Sequence, residues 1–149
     1  MVKEKFARKL TDSEVNEYTG PIHYICHREV MRPDKFSTPL IIAFNTSAFQ
    51  GHSLNDYWMK GPDLLNNLFG VIFRFREKSI ALVAYISKMY NRVLIPEVDQ
   101  HVHRFLWRQF DAEKEPDVYV MSVLPLGDKP AAAMAQAALR KTAIEAKER

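Results

Sequence analysis

An eight-residue run without a charged side chain, Ser79 to Ile86 (SIALVAYI), constrains the fold of this chain more than any other feature. Its apolar residues do not alternate with polar ones, so a strand formed here would be apolar on both faces. Such a run is typical of a central strand that other parts of the fold cover on both sides. It is also far shorter than the roughly 20 apolar residues that a membrane helix needs. The run therefore predicts a buried strand.

The composition is that of a soluble globular domain, neither disordered nor fibrous, because 47% of the 149 residues are hydrophobic and 26% are charged. A net charge of +3 does not by itself indicate nucleic-acid binding. The single cysteine, Cys26, excludes an internal disulfide. The basic N-terminus lacks the apolar stretch of a secretory signal, so we expect an intracellular, cytoplasmic protein.

Local patterns predict alternating helices and strands. Thr11 to Glu14 (T-D-S-E) forms a capping box for a helix that ends near Tyr18. Strand composition marks 22–30, 40–44 after Pro39, 104–110 and 117–124, the last two joined by a charged loop. Helical patterns mark 61–75, a short turn from Pro96, and the tail 131–149, which lacks Gly and Pro. We therefore predict one α+β domain, in which an antiparallel sheet packs with helices.

Histidines and the cysteine do not fall at metal-site spacing. On a strand, His23 and His27 share one face while Cys26 points to the other, and no second ligand pair follows at zinc-like spacing. His101 and His103 form an H-x-H pair without an evident third ligand. We expect all five to be ordinary half-buried residues. Cys26 would be a nucleophile only if the fold placed a histidine and an acid beside it.

Charged clusters have equally simple interpretations. Four acidic residues lie in the loop between the last two strands, where a solvated turn is expected: Asp111, Glu113, Glu115 and Asp117. Basic residues cluster at 3–9 and 74–78. Those clusters suit either a surface that follows phosphates or a solvated face, and both interpretations stay open.

Six short sequence motifs follow one another in a distinctive order. They are RPDKFSTPLIIAFNTSA (32–48), GHSLNDYWMKGPDLLNNL (51–68), FRFRE (73–77), ALVAYISKMY (81–90), PEVDQHVHRFLWR (96–108) and GDKPAAAMAQAALRKTA (127–143). Their order and spacing resemble the fingers and palm of the reverse transcriptases of BEL/Pao-type LTR retrotransposons, over about residues 20–145. The resemblance implies part of a right-hand polymerase, with an N-terminal helical segment (1–20), a fingers-like part (21–78) and a partial palm (79–149).

Members of that family join a deoxynucleotide to a primer with two Mg²⁺ ions held by aspartates. One aspartate ends the first palm strand, and two more lie on a later Y-x-D-D hairpin. Here Tyr85 occupies the first position, and a phenol, neutral near pH 7, does not replace a carboxylate on Mg²⁺. The sequence has no Asp-Asp pair and ends before any such hairpin. The resemblance thus implies no catalysis and no metal cofactor, with only the backbone carbonyl of Ile86 left from the metal site.

Other positions of the family's nucleotide pocket match: Lys88, Met89, Tyr90, Gly127 and Gln136. Tyr90 falls where a bulky aromatic residue screens out ribose 2′-hydroxyls, although a core aromatic at a strand end is an equal alternative. Gly127 falls where the backbone approaches the nucleotide. Three positions depart from the family's pattern, since a fingers cation, an aromatic residue and a proline are replaced by Ile41, Leu126 and Ala132.

These observations predict a catalytically inactive remnant of an RNA-directed DNA polymerase. The alternatives are a domesticated, non-catalytic module that binds nucleic acid, and an excerpt of a longer retroelement polyprotein. Weak binding of RNA or an RNA–DNA hybrid is expected, and no membrane partner. Because the palm hairpin is missing, we expect 79–86 to lie at an unpaired sheet edge, and the chain to be marginally stable or to self-associate there.

Overall fold

The computed structural model describes residues 1–34, 36, 40–48 and 52–148, which form antiparallel sheets and α-helices. The strands are β1 (Ala7–Lys9), β2 (Cys26–Met31), β3 (Leu40–Asn45), β4 (Arg104–Trp107) and β5 (Asp117–Met121). The helices are α1 (Asp12–Asn16), α2 (Leu54–Tyr57), α3 (Leu68–Glu77), α4 (Glu97–Gln100) and α5 (Ala131–Lys147). Short 3₁₀ turns cover Tyr90–Arg92 and His101–His103. This is an α+β arrangement with antiparallel sheets, as the sequence predicts.

A three-stranded antiparallel sheet in the order β1-β5-β4 forms the centre of the molecule. Its β4–β5 pair is the predicted hairpin, with Arg104 opposite Val120 and Trp107 opposite Asp117. The first strand of this pair ends earlier than predicted. Gln109 and Phe110 have positive φ angles of 57° and 65°, so the backbone turns away there.

The third strand of this sheet, β1, comes from the N-terminal segment, where the sequence indicates only a helix. Ala7 lies opposite Met121 and Lys9 opposite Tyr119. Three residues are too few to show a two-residue hydrophobic period, so no sequence pattern indicates this strand.

The predicted capping box of α1 is confirmed. The Glu14 backbone N–H donates to the Thr11 hydroxyl at 3.3 Å, and the Thr11 N–H donates to the Glu14 carboxylate at 2.8 Å. The Thr11 N–H and the Arg8 guanidinium lower the pKa of Glu14 to about 2. The helix ends at Asn16, two residues before the predicted end.

A separate hairpin of β2 and β3 pairs Cys26 with Asn45 and Met31 with Leu40. The predicted strand 22–30 begins four residues late because the preceding segment pairs with the central sheet instead. There the Ile25 N–H donates to the Arg104 carbonyl at 2.8 Å. Pro39, predicted to open the second strand, lies outside the described residues.

The hydrophobic core lies where the hairpin meets the central sheet. Its buried members are Ala7, Ile25, Leu54, Phe105, Tyr119, Met121 and Val123. Phe44 of the hairpin contacts Phe105 of the sheet edge to face, with the ring centroids 5.1 Å apart. This contact joins the two sheets into one packed unit.

The helix predicted from Gly61 begins only at Leu68, and its apolar face is not buried. Local polar groups compete with helix formation before Leu68, because the Asp63 carboxylate accepts from the Leu65 N–H at 3.0 Å. Asn67 then caps α3 by accepting from the Gly70 N–H at 3.1 Å. The prediction of a helix over 61–67 is therefore wrong.

The prediction of a buried strand at 79–86 is also wrong. These residues are irregular and exposed, and Tyr85 keeps 89% of its surface accessible. An all-apolar strand needs neighbouring strands and a covering layer on each face. Within the described residues, the central sheet ends at β1 and β4, and neither edge strand pairs with this segment.

The predicted C-terminal helix is confirmed as α5, which starts after Pro130. Only Ala131 and Ala135 of this helix are buried, so one end of it packs against the fold while the rest is solvated. No helix in the described part of the chain has the length and apolar character needed to cross a membrane.

Candidate functional site

The turn before α5 is held by side chains of α2 and of the connection between β3 and α2. The Gly127 carbonyl accepts from the Thr46 hydroxyl at 2.8 Å and from the Asn55 amide at 2.9 Å. The Asn55 amide oxygen accepts from the Lys129 N–H at 2.8 Å. Gly127 has a φ of +131°, a conformation that glycine adopts without strain. Side chains far from α5 in the sequence therefore hold the turn that leads into this helix.

Beside this turn lies a shallow groove of about 170 Å³ between the irregular residues 60–65 and the first turns of α5. Gln136 lines it together with Lys60, Lys129 and Asp63. The groove is narrow because a Cβ atom on Gly61 would lie 2.8 Å from that of Ala133. With two lysines against one aspartate, its charged lining suits a small anion better than a cation.

The residues 85–90 lie elsewhere. The Tyr85 ring is exposed, and Ile86 keeps 43% of its surface accessible. Lys88 adopts a φ of 55° and places its amine 2.6 Å from the Glu4 carboxylate and 5.3 Å from the Phe6 ring centroid. The Lys88 side chain is thus bound to the N-terminal segment.

Met89 and the half-buried Tyr90 begin the 3₁₀ turn. The described residues that line the groove include Gln136 but none of 85–90. Of the residues that the resemblance singles out, Gln136 and the neighbouring turn at Gly127 therefore come together, while the set 85–90 lies apart from them.

Three departures from the family's pattern are placed as follows. Ile41 lies in β3, opposite Val30 of β2. Leu126 is exposed beside Gly127. Ala132 lines the groove in the first turn of α5, where its small side chain leaves the wall open.

A buried pair of ionisable side chains, His103 and Asp128, fastens this region to the central sheet. The His103 Nε2 lies 2.7 Å from an Asp128 oxygen, and both side chains are 2% exposed. The His103 Nδ1 lies 3.1 Å from the Asp99 carbonyl, which only accepts, so Nδ1 carries a hydrogen. Nε2 therefore either donates to a carboxylate or accepts from a carboxylic acid, and in both states the pair is neutral overall.

Trp58 completes this cluster. Its ring stacks on His103, with the centroids 6.1 Å apart and the planes 16° from parallel. The indole N–H and the second Asp128 oxygen are buried without a hydrogen-bond partner among the described residues. No local sequence signal indicates this cluster, because its members are 25 or more residues apart; an aspartate just before a helix is ordinarily only a cap.

A second buried cluster surrounds Arg104, the first residue of β4. Its guanidinium donates to the His101 Nδ1 at 2.9 Å and to the Glu14 carbonyl at 3.1 Å. The rings of Tyr18 and Tyr24 lie 5.7 and 6.0 Å from it. Burial, followed by the charge of Arg104, lowers the pKa of His101, which keeps the imidazole neutral as an acceptor.

The histidines near β2 have different surroundings. The His27 ring lies 5.6 Å from both Phe105 and Trp107, and burial lowers its pKa. His23 precedes β2 and also has a pKa lowered by burial. Cys26 is exposed. Within 1–34, 36, 40–48 and 52–148, no three His, Cys, Asp or Glu side chains form a group able to hold a metal ion.

The acidic loop is paired with lysines at one end. Asp117 accepts from Lys114 at 2.7 Å and lies 2.8 Å from the Lys9 amine. These two lysines lower the pKa of Asp117. The other loop acids, Asp111, Glu113 and Glu115, are exposed.

The chain matches no known family model, and no curated protein is significantly similar to it.

Proposed function

We propose that this chain is a catalytically inactive remnant of an RNA-directed DNA polymerase, with a fingers-like and a partial palm-like part. The observation that carries this proposal is Tyr85 within the motif ALVAYISKMY, at the position of the first metal-binding aspartate. A tyrosine hydroxyl is a poor Mg²⁺ ligand next to a carboxylate. The division of the chain into an N-terminal helical segment (1–20), a fingers-like part (21–78) and a partial palm (79–149) is part of the same proposal.

Primer extension with Mg²⁺ tests this proposal directly. Neither the wild-type chain nor Tyr85→Asp is expected to extend a primer, because two further aspartates of the family are missing from the sequence. Tyr85 is exposed, so the substitution leaves the packed residues untouched. An active reverse transcriptase in the same mixture is the positive control. Extension by Tyr85→Asp would place the remaining metal ligands within this chain and contradict the proposal.

A second candidate function is a module that binds an RNA–DNA hybrid without catalysis. The groove beside α5 favours it, because Lys60 and Lys129 flank Gln136 there. A phosphate held by these lysines would give an affinity that falls with salt. Each lost phosphate contact makes the negative slope of log K against log salt shallower by about 1.

The matched experiment compares Lys60→Gln with Lys147→Gln, at an exposed lysine near the other end of α5. Hybrid binding is expected to weaken and its salt slope to fall only with Lys60→Gln. Equal effects of both substitutions would show that only net charge matters. No binding at low salt would contradict the module.

A further inference from the structure

Twelve large apolar side chains are exposed within residues 64–86, here called the apolar stretch. Its exposed side chains include Phe69, Phe73 and Phe75 of α3, and Leu82, Val83 and Tyr85 beyond it. Together the apolar side chains of the stretch expose a summed area on the order of 1,000 Å². A surface of this size marks a site of association.

The backbone of residues 80–86 is also available for pairing. None of its N–H or C=O groups takes part in a hydrogen bond within the part of the chain that the structure describes. The segment (IALVAYI) has β-branched and aromatic residues and lacks charge, glycine and proline. Segments of this kind readily pair with a strand from another chain.

Charge determines which partner fits best. Residues 79–87 carry no charge, so an acidic peptide would find no cation along them. An identical segment complements them without leaving any charge unpaired. At one end lie Arg74, Arg76 and the pair of Glu77 and Lys78, whose charged atoms are 3.7 Å apart; at the other end Lys88 is paired with Glu4.

Strand direction follows from the same charges. Parallel pairing of two copies would set two ends of net charge +2 side by side, since Arg74, Arg76 and Lys78 outnumber Glu77. Antiparallel pairing instead separates the two Lys78 residues by the length of the segment, about 30 Å at 3.4 Å per residue, and brings each towards the Lys88–Glu4 pair of the other copy. That separation exceeds the Debye length of about 8 Å.

We propose that two copies of this chain associate about a two-fold axis through antiparallel pairing of residues 80–86, with α3 covering the joint. The exposed area available on each copy is comparable to the roughly 800 Å² per partner of a standard interface. This inference does not depend on the polymerase-like function, because it uses only the exposed surface, the unpaired backbone and the charges.

Sedimentation equilibrium over a wide concentration range tests the proposal. The wild-type chain is expected at twice its 17.3 kDa mass. Val83→Pro removes a backbone donor and should raise the dimer dissociation constant by about tenfold or more, whereas Val83→Ala should raise it only slightly. Val83 is exposed, so neither change disturbs the core. Circular dichroism confirms that each variant is folded.

A second pair of variants tests whether association depends on this surface or on exposed apolar residues in general. Leu82→Lys should give a monomer, and Met31→Lys, at an exposed apolar residue of the β2–β3 hairpin, should leave the dimer intact. A monomeric wild type, a Val83→Pro dimer of unchanged affinity, or open-ended oligomers would each overturn the proposal. So would a chain that is monomeric in solution and cosediments with anionic lipid vesicles, because its partner would then be a membrane surface.

Discussion

The core between the two sheets and the apolar stretch contain the same kinds of residue in opposite surroundings. Phe105 in β4 is 5% exposed, while Phe73 in α3 is 75% exposed. Phe105 meets Phe44, His27 and Tyr119, which come from three different strands. Hydrophobicity alone therefore does not decide burial; the fold must also supply a facing surface, and the described chain supplies one for β4 but not for α3.

The largest expected difference between these regions comes from truncating one phenylalanine in each. Phe105→Ala should lower the free energy of unfolding by about 3–5 kcal/mol, because it leaves a cavity in the core. Phe73→Ala should change that of the monomer by less than about 0.5 kcal/mol, because the side chain is exposed there. Urea denaturation of both variants provides the measurement, and equal losses would mean that α3 packs against the core.

A smaller loss is expected when the buried His103–Asp128 pair is broken. Asp128→Ala leaves the imidazole without its partner and should cost about 1–3 kcal/mol. Asp128→Asn should recover part of this loss, since an amide can donate to neutral His103. Thermal unfolding compares them with Asp63→Ala, at an exposed aspartate next to the apolar stretch. If Asp63→Ala destabilises the protein as much, the buried pair contributes no more to stability than an exposed aspartate does.

The next largest effect is expected from acid, which should lower the free energy of unfolding of the packed region. The pKa values of His23, His27 and His101 are lowered mainly by burial. The folded state then binds fewer protons than the unfolded state, so stability is full above pH 6.5 and falls as the pH drops below it. Urea midpoints across this range should show the fall, and His27→Phe should reduce it. His52→Phe, at an exposed histidine, is the control; the same reduction there would exclude burial as the cause.

The smallest difference concerns two helix caps. Thr11→Ala removes the acceptor of the α1 capping box and should cost about 1 kcal/mol, because Glu14 of α1 accepts hydrogen bonds from Arg8 and Arg104 of the central sheet. Asn67→Ala removes the cap of α3 and, in the monomer, should reduce helicity without moving the urea midpoint, since α3 buries no side chain there. A shifted midpoint for Asn67→Ala would indicate that the two regions unfold together.

Sequence patterns predicted the elements whose stability is local. The capping box of α1, the β4–β5 hairpin and α5 each follow from short-range propensity or turn signals. The strand β1 could not be predicted, because its three residues gain their hydrogen bonds only from β5. The predicted strand at 79–86 failed for the converse reason, since a suitable sequence found no neighbouring strand.

Some residues of the candidate site were likewise indicated by the sequence, and others were not. The resemblance singled out Gln136 and Gly127, which lie at or beside the groove, and also Ile86 and residues 88–90, which do not line it. The pair of His103 and Asp128 was missed, because a contact between residues 25 apart leaves no periodic signal. Sequence reasoning thus finds residues by pattern, whereas a buried polar contact needs the fold itself.

The pairing of Ala7 with Met121 has a consequence for the order of folding. During synthesis the N-terminal strand must wait for more than a hundred further residues before its partner emerges. Contacts this distant along the chain slow folding, because a long loop must close before any hydrogen bond of that pair forms. The apolar stretch leaves the ribosome before the central sheet can close, so it is open to chaperones on the nascent chain until that sheet forms.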